Sequence, residues 1–174
     1  MERRRKLIVA AAGVVVLVVG LAAFWPTGDD AGASSQSASQ LDVPFQFVDG
    51  SDANLADFAG KPLVVNFWAS WCPACVAEMP DFEQVHAALG DQVVFLGMNM
   101  QETDAQAADA LVDQTGVSYQ LGLDPDGRIF NTFGGIAMPT TVFIDADGNV
   151  VKTHAGAIFA EDLEEMIRTE LLAS

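Results

Sequence analysis

The sequence predicts an α/β domain whose central mixed β-sheet is flanked by helices. Two apolar runs, residues 63–68 and 93–98, have the composition of strands buried on both faces, and a helical segment separates them. Parallel strands that are joined by helices have this pattern. A hairpin and a closing amphipathic helix follow, so antiparallel strands are expected in the same sheet.

The first elements lead from a short extended segment to a buried strand and a long helix. Residues 44–48 are the extended segment, and residues 63–68 are the strand. A helix is predicted over residues 73–89, because Gly90 follows and glycine commonly ends helices. Pro80 lies within this helix, and since proline removes a backbone donor, we expect a kink there.

A second helix is predicted after the second buried strand. Thr103 and Gln106 match a capping box, which satisfies the first free N–H groups of a helix. The helix is expected to continue through Gln114, because Gly116 comes next. Residues 118–121 then predict a short strand.

The remaining elements are a turn, a short helix, a hairpin and a final helix. Residues 124–127 are Asp-Pro-Asp-Gly and predict the turn, and a short helix is expected over residues 128–133. The strands of the hairpin are predicted over residues 140–144 and 150–154, with a connection rich in Asp, Gly and Asn. The chain closes with an amphipathic helix over residues 161–172.

The N-terminus of the chain predicts a membrane anchor and a linker. Residues 1–6 are basic, and residues 7–25 are uncharged and apolar; as a helix, the apolar stretch would span about 28 Å, close to a bilayer core. Because basic residues favour the cytoplasmic side, we expect a single-pass protein of the cell membrane with residues 41–174 folded outside the cytoplasm. Residues 26–40 are small and polar, as in a flexible linker. A cleaved signal peptide is the alternative, since residues 31–33 are Ala-Gly-Ala.

The charge of the chain limits the classes of partner. It holds 24 acidic and 8 basic residues for a formal net charge of −16, and half of the basic residues lie in residues 1–6. The predicted domain is therefore strongly acidic, which argues against nucleic acid and anionic lipid as partners. Basic client proteins remain compatible with this charge.

One short motif, Cys72-Pro73-Ala74-Cys75, indicates the chemistry. It contains the only cysteines of the chain and stands where a strand gives way to a helix. At a helix N-terminus, free N–H groups and the helix dipole favour thiolate over thiol, so Cys72 is the expected nucleophile. Two intervening residues leave Cys75 within reach, so it can resolve a mixed disulfide formed at Cys72. The pattern predicts thiol–disulfide exchange.

Three other uses of the two cysteines stay open. A zinc site would need two further ligands, and the only histidines, His86 and His154, are far apart and have no ligand-like spacing. A structural disulfide would close a very short loop, which gives little entropic stabilisation. A copper-binding assembly factor would use Cys72 and Cys75 with a distal histidine such as His154, since thiolates suit Cu(I).

Several segments together resemble one family, the TlpA/ResA-like extracytoplasmic thioredoxins. The matching features are Trp-Cys-Pro-Ala-Cys at 71–75, Glu-Met-Pro at 78–80, a helix and strand inserted at 104–121, the turn at 124–127 and Met-Pro-Thr-Thr at 138–141. The resemblance covers the whole predicted domain. It implies a thioredoxin fold that carries the extra helix and strand of the TlpA-like variant.

The resemblance implies roles for the residues around the dithiol. Cys72 would be the exposed attacking thiol and Cys75 the more buried resolving thiol of a redox-active disulfide. Glu78 would lie beside them and assist proton movement, whereas an exposed helix carboxylate is the alternative. Asn66 departs from thioredoxins proper, which often carry a buried aspartate there; an amide takes no proton, so Glu78 would have to supply that function.

A second group of residues would bind the client. The resemblance implies that Pro139 is a cis-proline facing the dithiol, and that the backbone of Met138 pairs with an extended client segment. Core packing is the alternative for the Met138 side chain. Trp71 and Pro73 complete the predicted substrate-binding set. Trp71 and Trp68 are also expected to pack around the motif and exclude water.

The resemblance implies an extracytoplasmic thiol–disulfide oxidoreductase without a cofactor. Its direction would be the reduction of disulfides in exported apoproteins, as in cytochrome c maturation, and a membrane electron-transfer protein would re-reduce it. The expected oligomeric state is a monomer. The reverse direction, a disulfide-forming oxidase, and the copper-binding assembly factor remain the alternatives.

Overall fold

The computed structural model describes residues 41–173, in which strands and helices alternate. The elements in chain order are β1 (Pro44–Phe47), β2 (Asp52–Asn54), a 3-10 turn (Leu55–Phe58), β3 (Leu63–Trp68), α1 (Pro73–Leu89), β4 (Val94–Met100), α2 (Ala105–Thr115), β5 (Gln120–Asp124), α3 (Arg128–Thr132), β6 (Thr140–Ile144), β7 (Val150–Ala155) and α4 (Ala160–Glu170). The predicted basic segment, anchor and linker at 1–6, 7–25 and 26–40 lie outside the described residues. No helix of residues 41–173 has the length and apolar composition needed to cross a bilayer.

The strands form one seven-stranded mixed sheet in the order β2-β1-β5-β4-β3-β6-β7. Strands β3, β4 and β5 are parallel, and the other neighbouring pairs are antiparallel. The predicted fold class, a thioredoxin fold with a mixed sheet flanked by helices, is confirmed. Strand β3 lies inside the sheet, where Asn66 pairs with Gly97 on one side and Thr141 on the other.

Strand β3 is buried on both faces because a different layer covers each face. Side chains alternate along a strand, so Val64 and Trp68 pack into the core with α1, α2 and α4, whereas Val65 and Phe67 pack into the core with α3 and β1. Asn66 shares the face of Val64 and Trp68 and therefore faces the layer that contains α1.

Helix α1 begins at the cysteine motif and presents one buried stripe to the sheet. Cys72 is its N-cap, Pro73 is its first residue and Gly90 is its C-cap, as the sequence predicts; Pro80 lies within it. The buried residues recur every three or four positions: Cys75, Glu78, Met79, Phe82, Val85 and Leu89. A polar carboxyl thus lies in an otherwise apolar stripe one turn after Cys75.

The predicted cap of α2 is wrong by one residue. Asp104, and not Thr103, is the N-cap, and its carboxylate accepts the N–H groups of Gln106 and Ala107 at 3.1 and 3.2 Å. A carboxylate at this position also interacts favourably with the helix dipole. The predicted stop at Gly116 is correct: this residue has φ 71° and is the C-cap.

Several strand boundaries differ from the prediction, and one strand is new. The second buried strand ends at Met100, and β5 is shifted to Gln120–Asp124. Strand β2 was not predicted, because it has only three residues and no apolar alternation. It forms through its antiparallel pairing with β1, and such pairing with a neighbour cannot be deduced from local composition.

The assignment of Asp104 as the N-cap of α2 can be tested directly. Replacement Asp104→Ala leaves two N–H groups of the helix without their acceptor and is expected to lower the free energy of unfolding by about 1 kcal/mol. The matched control is Thr103→Ala, which removes the exposed side chain that the capping-box pattern favours and is expected to change little. Urea denaturation measures both, and an equal loss in the two variants would contradict the assignment.

Candidate active site

The two cysteines form a disulfide at the N-terminus of α1. Their Cα atoms are 5.3 Å apart, and the sulfurs of Cys72 and Cys75 are bonded. The sulfur of Cys72 also accepts the N–H of Cys75 at 3.2 Å, in the position of an N-capping side chain. The N–H that would stabilise a Cys72 thiolate is therefore already directed at that sulfur.

The cysteines are more buried than the resemblance implies. Cys72 is only 5% exposed and Cys75 is fully buried, whereas Pro73 and Ala74 between them are exposed. The prediction that Cys75 is the more buried partner is correct, and the prediction of an exposed Cys72 is wrong for this disulfide form. The first helical turn directs the two middle residues outward and both sulfurs inward, so an incoming thiol reaches the bond through Cys72.

The two tryptophans occupy different environments. Trp68 ends β3 and is 1% exposed, as expected for a residue that packs around the motif and excludes water, whereas Trp71 is 48% exposed and is not buried in this way. The Trp71 indole donates to the backbone oxygen of Gln101 at 3.1 Å. This bond fixes an apolar surface one residue before Cys72, where a client can contact it.

The second predicted binding segment, Met138–Pro139, ends directly before β6. The Met138–Pro139 peptide bond is cis, as the resemblance implies. Pro139 is buried, and its backbone oxygen accepts the N–H of Gly156 at 2.8 Å. Met138 is half-buried and packs against both cores, so its thioether contributes to packing. Ile136, which no sequence pattern singled out, is 87% exposed in the loop before Met138.

Glu78 is fully buried, so the alternative of an exposed helix carboxylate is wrong. Its Oε1 atom accepts the side-chain N–H of Asn66 at 2.8 Å, and its Oε2 atom accepts the backbone N–H of Ile158 at 2.9 Å. Each carboxyl oxygen therefore has one donor: Oε1 has a side chain of β3, and Oε2 has a backbone N–H of the segment before α4. The sequence marks Asn66 only as a departure from thioredoxins proper, and no local pattern predicts the contribution of Ile158.

The environment of Glu78 shifts its proton affinity. Burial raises the pKa of this carboxyl from 4.5 to about 7; the hydrogen bonds from Ile158 and Asn66 oppose the rise, and the negative charge of Asp81 adds to it. A carboxyl with a pKa near neutrality is present in both protonation states under ordinary conditions. It can therefore accept and return a proton one helical turn from Cys75.

Asn66 connects Glu78 to the adjacent strand. Its amide nitrogen donates to Glu78 and also to the hydroxyl of Thr141 at 3.2 Å. Its amide oxygen is buried and has no hydrogen-bond partner. The polar group in the middle of β3 thus belongs to the site and not to the surrounding apolar core.

A second carboxylate, Glu102, fixes the loop before the motif. It accepts the backbone N–H and the hydroxyl of Ser70 at 2.8 and 2.9 Å. Partial burial opposes ionisation, but hydrogen bonds from Ser70, Asp104 and Asn99 outweigh it and lower the pKa of Glu102 to about 2. The role of Glu102 was not predictable from the sequence, because no local pattern relates Glu102 to Ser70.

The two histidines lie on different elements of the described structure, and His86 packs against aromatic rings. The ring of His86 lies 5.3 Å from that of Phe95 and 5.6 Å from that of Tyr119, in edge contacts. His154 is half-buried in β7, opposite Thr141. Across residues 41–173 no three histidine, cysteine, aspartate or glutamate side chains are grouped as metal ligands.

Comparisons with known proteins agree with this geometry. The family model described as Redoxin matches residues 31–167. The thiol-disulfide oxidoreductase ResA of Bacillus thuringiensis subsp. konkukian is 33% identical over 122 residues, which are 70% of each chain. The solved structure of MTB DsbF, in mixed oxidised and reduced forms, is 30% identical with a TM-score of 0.69 over 75% of this chain and 96% of that one. A secreted disulfide oxidoreductase of Mycobacterium tuberculosis, homologous to E. coli DsbE, is 28% identical with a TM-score of 0.69 over 75% and 98%.

The buried carboxyl makes stability depend on pH. Between pH 4.5 and about 7 the folded protein keeps a proton on Glu78 that the unfolded chain releases, so the free energy of unfolding falls as pH rises through this window. The expected contribution is about 3 kcal/mol. Replacement Glu78→Gln should remove this pH-dependent decrease in the free energy of unfolding. Urea denaturation of the oxidised protein at pH 4.5 and pH 8 measures it.

The matched control for this measurement is Glu165→Gln, which replaces an exposed carboxylate of α4. It should leave the pH dependence of the wild-type protein in place. If Glu78→Gln and the wild-type protein lose the same stability between the two pH values, Glu78 does not hold a proton in the folded protein.

Proposed function

We propose, from the premise that this chain belongs to the Redoxin family and is a thiol–disulfide oxidoreductase, that it reduces disulfides of exported proteins. The observation that supports this direction most is the buried Glu78 one helical turn after Cys75, together with the placement of the four basic side chains of residues 41–173 on other elements. The second candidate from the sequence, a disulfide-forming oxidase, uses the same residues in reverse and is tested by the same measurements.

The reduction proceeds by two exchanges. The Cys72 thiolate attacks one sulfur of the client disulfide, a mixed disulfide forms, and the other client sulfur leaves as a thiolate. Cys75 then loses its proton to the Glu78 carboxylate and attacks the sulfur of Cys72. The Cys72–Cys75 disulfide forms and the second client thiolate leaves, so two electrons have passed to the client.

The charges around the dithiol favour reduction of the client. Glu78 and Asp81 place acidic groups on α1, and negative charge disfavours thiolates relative to a disulfide. The basic side chains of residues 41–173 lie elsewhere: Lys61 precedes β3, Arg128 begins α3, and Lys152 and Arg168 are paired with Glu170 and Glu164. A dithiol whose thiolates are not stabilised gives up its electrons more readily.

The helix N-terminus acts in the opposite sense, but its effect is too small to decide the direction. A helix dipole contributes about 0.3–1 kcal/mol to a nearby anion. The potentials of strongly oxidising and strongly reducing members of the thioredoxin class differ by about 150 mV, or about 7 kcal/mol for two electrons. The dipole therefore activates Cys72 as a nucleophile without making the couple an oxidant.

The setting of the reaction is also part of the proposal. Residues 7–25 anchor the chain in the cell membrane with its N-terminus in the cytoplasm, and the domain acts as a monomer on the other side. A membrane electron-transfer protein returns two electrons to the disulfide, and the clients are exported apoproteins of the cytochrome c maturation type. The similarity to a secreted oxidoreductase supports an extracytoplasmic domain.

Client contact is assigned to the surface around Cys72. Trp71 and Pro73 are exposed on the motif side, and Met138 and Pro139 form the cis segment. The net charge of −16 favours basic segments next to the client disulfide. Apolar contact at the tryptophan and charge attraction at longer range would together select unfolded, basic clients.

Two cysteine variants test the mechanism. The reduced protein is expected to reduce insulin disulfides, Cys72→Ser should abolish this activity because the attacking sulfur is gone, and Cys75→Ser should accumulate mixed disulfides through Cys72. Non-reducing gel electrophoresis detects the trapped species. Trapping with Cys75→Ser in intact cells, followed by mass spectrometry, identifies the clients, and full activity in the Cys72→Ser protein would end the proposal.

A further inference from the structure

We propose that Asn66 is a positioning residue that holds Glu78 in both of its protonation states by turning its side-chain amide over. The inference rests on the proposed function, in which Glu78 exchanges a proton with Cys75. It assigns to Asn66 a role that an aspartate or an apolar residue at the same position could not perform.

The amide lies at a fixed place between two polar partners. The backbone of Asn66 is held in the sheet by pairing with β4 and β6, and the residue is 1% exposed. Its amide nitrogen lies 2.8 Å from Glu78 Oε1 and 3.2 Å from Thr141 Oγ1. The side chain can change its hydrogen bonds by rotation of the terminal amide, without movement of the strand.

The observed orientation is the one that suits a carboxylate. An ionised carboxyl only accepts hydrogen bonds, and here the amide of Asn66 and the backbone of Ile158 supply one donor to each oxygen of Glu78. The amide oxygen of Asn66 is then left buried without a partner. A buried acceptor without a donor is unfavourable, so this orientation is not the best one for every state of Glu78.

When Glu78 is protonated, its Oε1 atom needs a hydrogen-bond acceptor instead of a donor. Ile158 keeps its N–H directed at Oε2, so the acidic hydrogen lies on Oε1, where it meets the NH₂ group of Asn66. Half a turn of the amide replaces this contact between two donors by a bond from the carboxylic acid to the amide oxygen. The hydroxyl of Thr141 can donate to the same oxygen, because a hydroxyl both donates and accepts. The oxygen that had no partner thereby gains two, while the NH₂ group moves to the place where the oxygen had none; what the turn removes is the contact between two donors.

Other side chains at position 66 would serve at most one of these states. An aspartate would place two carboxyl groups at hydrogen-bond distance, where they would share one proton and titrate as a pair. An apolar residue would leave Glu78 with the single donor from Ile158. The Asn66 amide can hydrogen-bond the Glu78 carboxyl in the same position whether that carboxyl is protonated or ionised.

Titratable groups of the described residues lie on the elements around this pair. On α1 these are Cys75 and Asp81, which precede and follow Glu78, and Tyr119 before β5 is close enough for its phenol to feel the charge of Glu78. On β7, His154 lies opposite Thr141. The experiment therefore changes none of these groups: the test variants differ only at positions 66 and 78, and the control differs only at position 99.

The test is the pH dependence of kcat/KM for insulin reduction between pH 5 and pH 9. In the wild-type protein we expect an inflection that Glu78→Gln removes. Asn66→Ala should move this inflection upward by about one pH unit, because the bond lost from the charged carboxylate is stronger than the bond lost from the neutral acid. In the Glu78→Gln background, Asn66→Ala should leave the shape of the profile unchanged. The isosteric Asn66→Asp should move the inflection further upward.

The matched control is Asn99→Ala, which removes the other buried asparagine of the sheet, whose side chain donates to Glu102 at 3.3 Å. It should not move the inflection. If the Asn66 variants lower the rate equally with Glu78 and with the Glu78→Gln replacement, and the inflection stays in place, the positioning role is overturned. If Glu78→Gln itself leaves the profile unchanged, the proton role of Glu78 fails instead.

Discussion

The pair of hydrogen bonds at Glu78 is the constraint on which the active site depends. One carboxyl joins α1 to the central strand through Asn66 and to the segment before α4 through Ile158. The helix that these bonds hold against the sheet is the one that begins at Cys72. The same burial that makes the carboxyl a structural link also raises its pKa to about 7, so a single placement supplies both the geometry of the dithiol and a proton acceptor beside it.

This placement has a thermodynamic consequence. A carboxyl that keeps its proton when folded destabilises the protein as pH rises, since the unfolded chain can ionise freely. Glu102 is the opposite case: it holds Ser70 before the motif with a lowered pKa and stays ionised. Glu102 thus fixes the loop before the motif and stays ionised near neutral pH. Glu78 titrates near neutral pH, where thiol–disulfide exchange needs a proton acceptor. Environment separates the two roles, because the side chains are chemically identical.

The sequence could predict what is encoded locally. The buried strand at 63–68, the helix that starts at the motif and ends at Gly90, and the turn at 124–127 follow from composition, capping and turn chemistry, and the structure has them. The contacts that shape the site were not predictable in the same way. Asn66 and Glu78 lie on different elements, and Ile158 is 80 residues from Glu78. Periodicity shows which face of a helix is buried, but it does not show which polar group faces it across the core.

The central claim is that the acidic surroundings of the dithiol make it a reductant. The equilibrium reduction potential of the Cys72–Cys75 couple, measured against glutathione and thioredoxin, tests this claim most directly. We expect a value well below about −230 mV, the range of reducing thioredoxin-like proteins. A value near −120 mV, that of a strong oxidant, would contradict it and would assign the protein to disulfide formation.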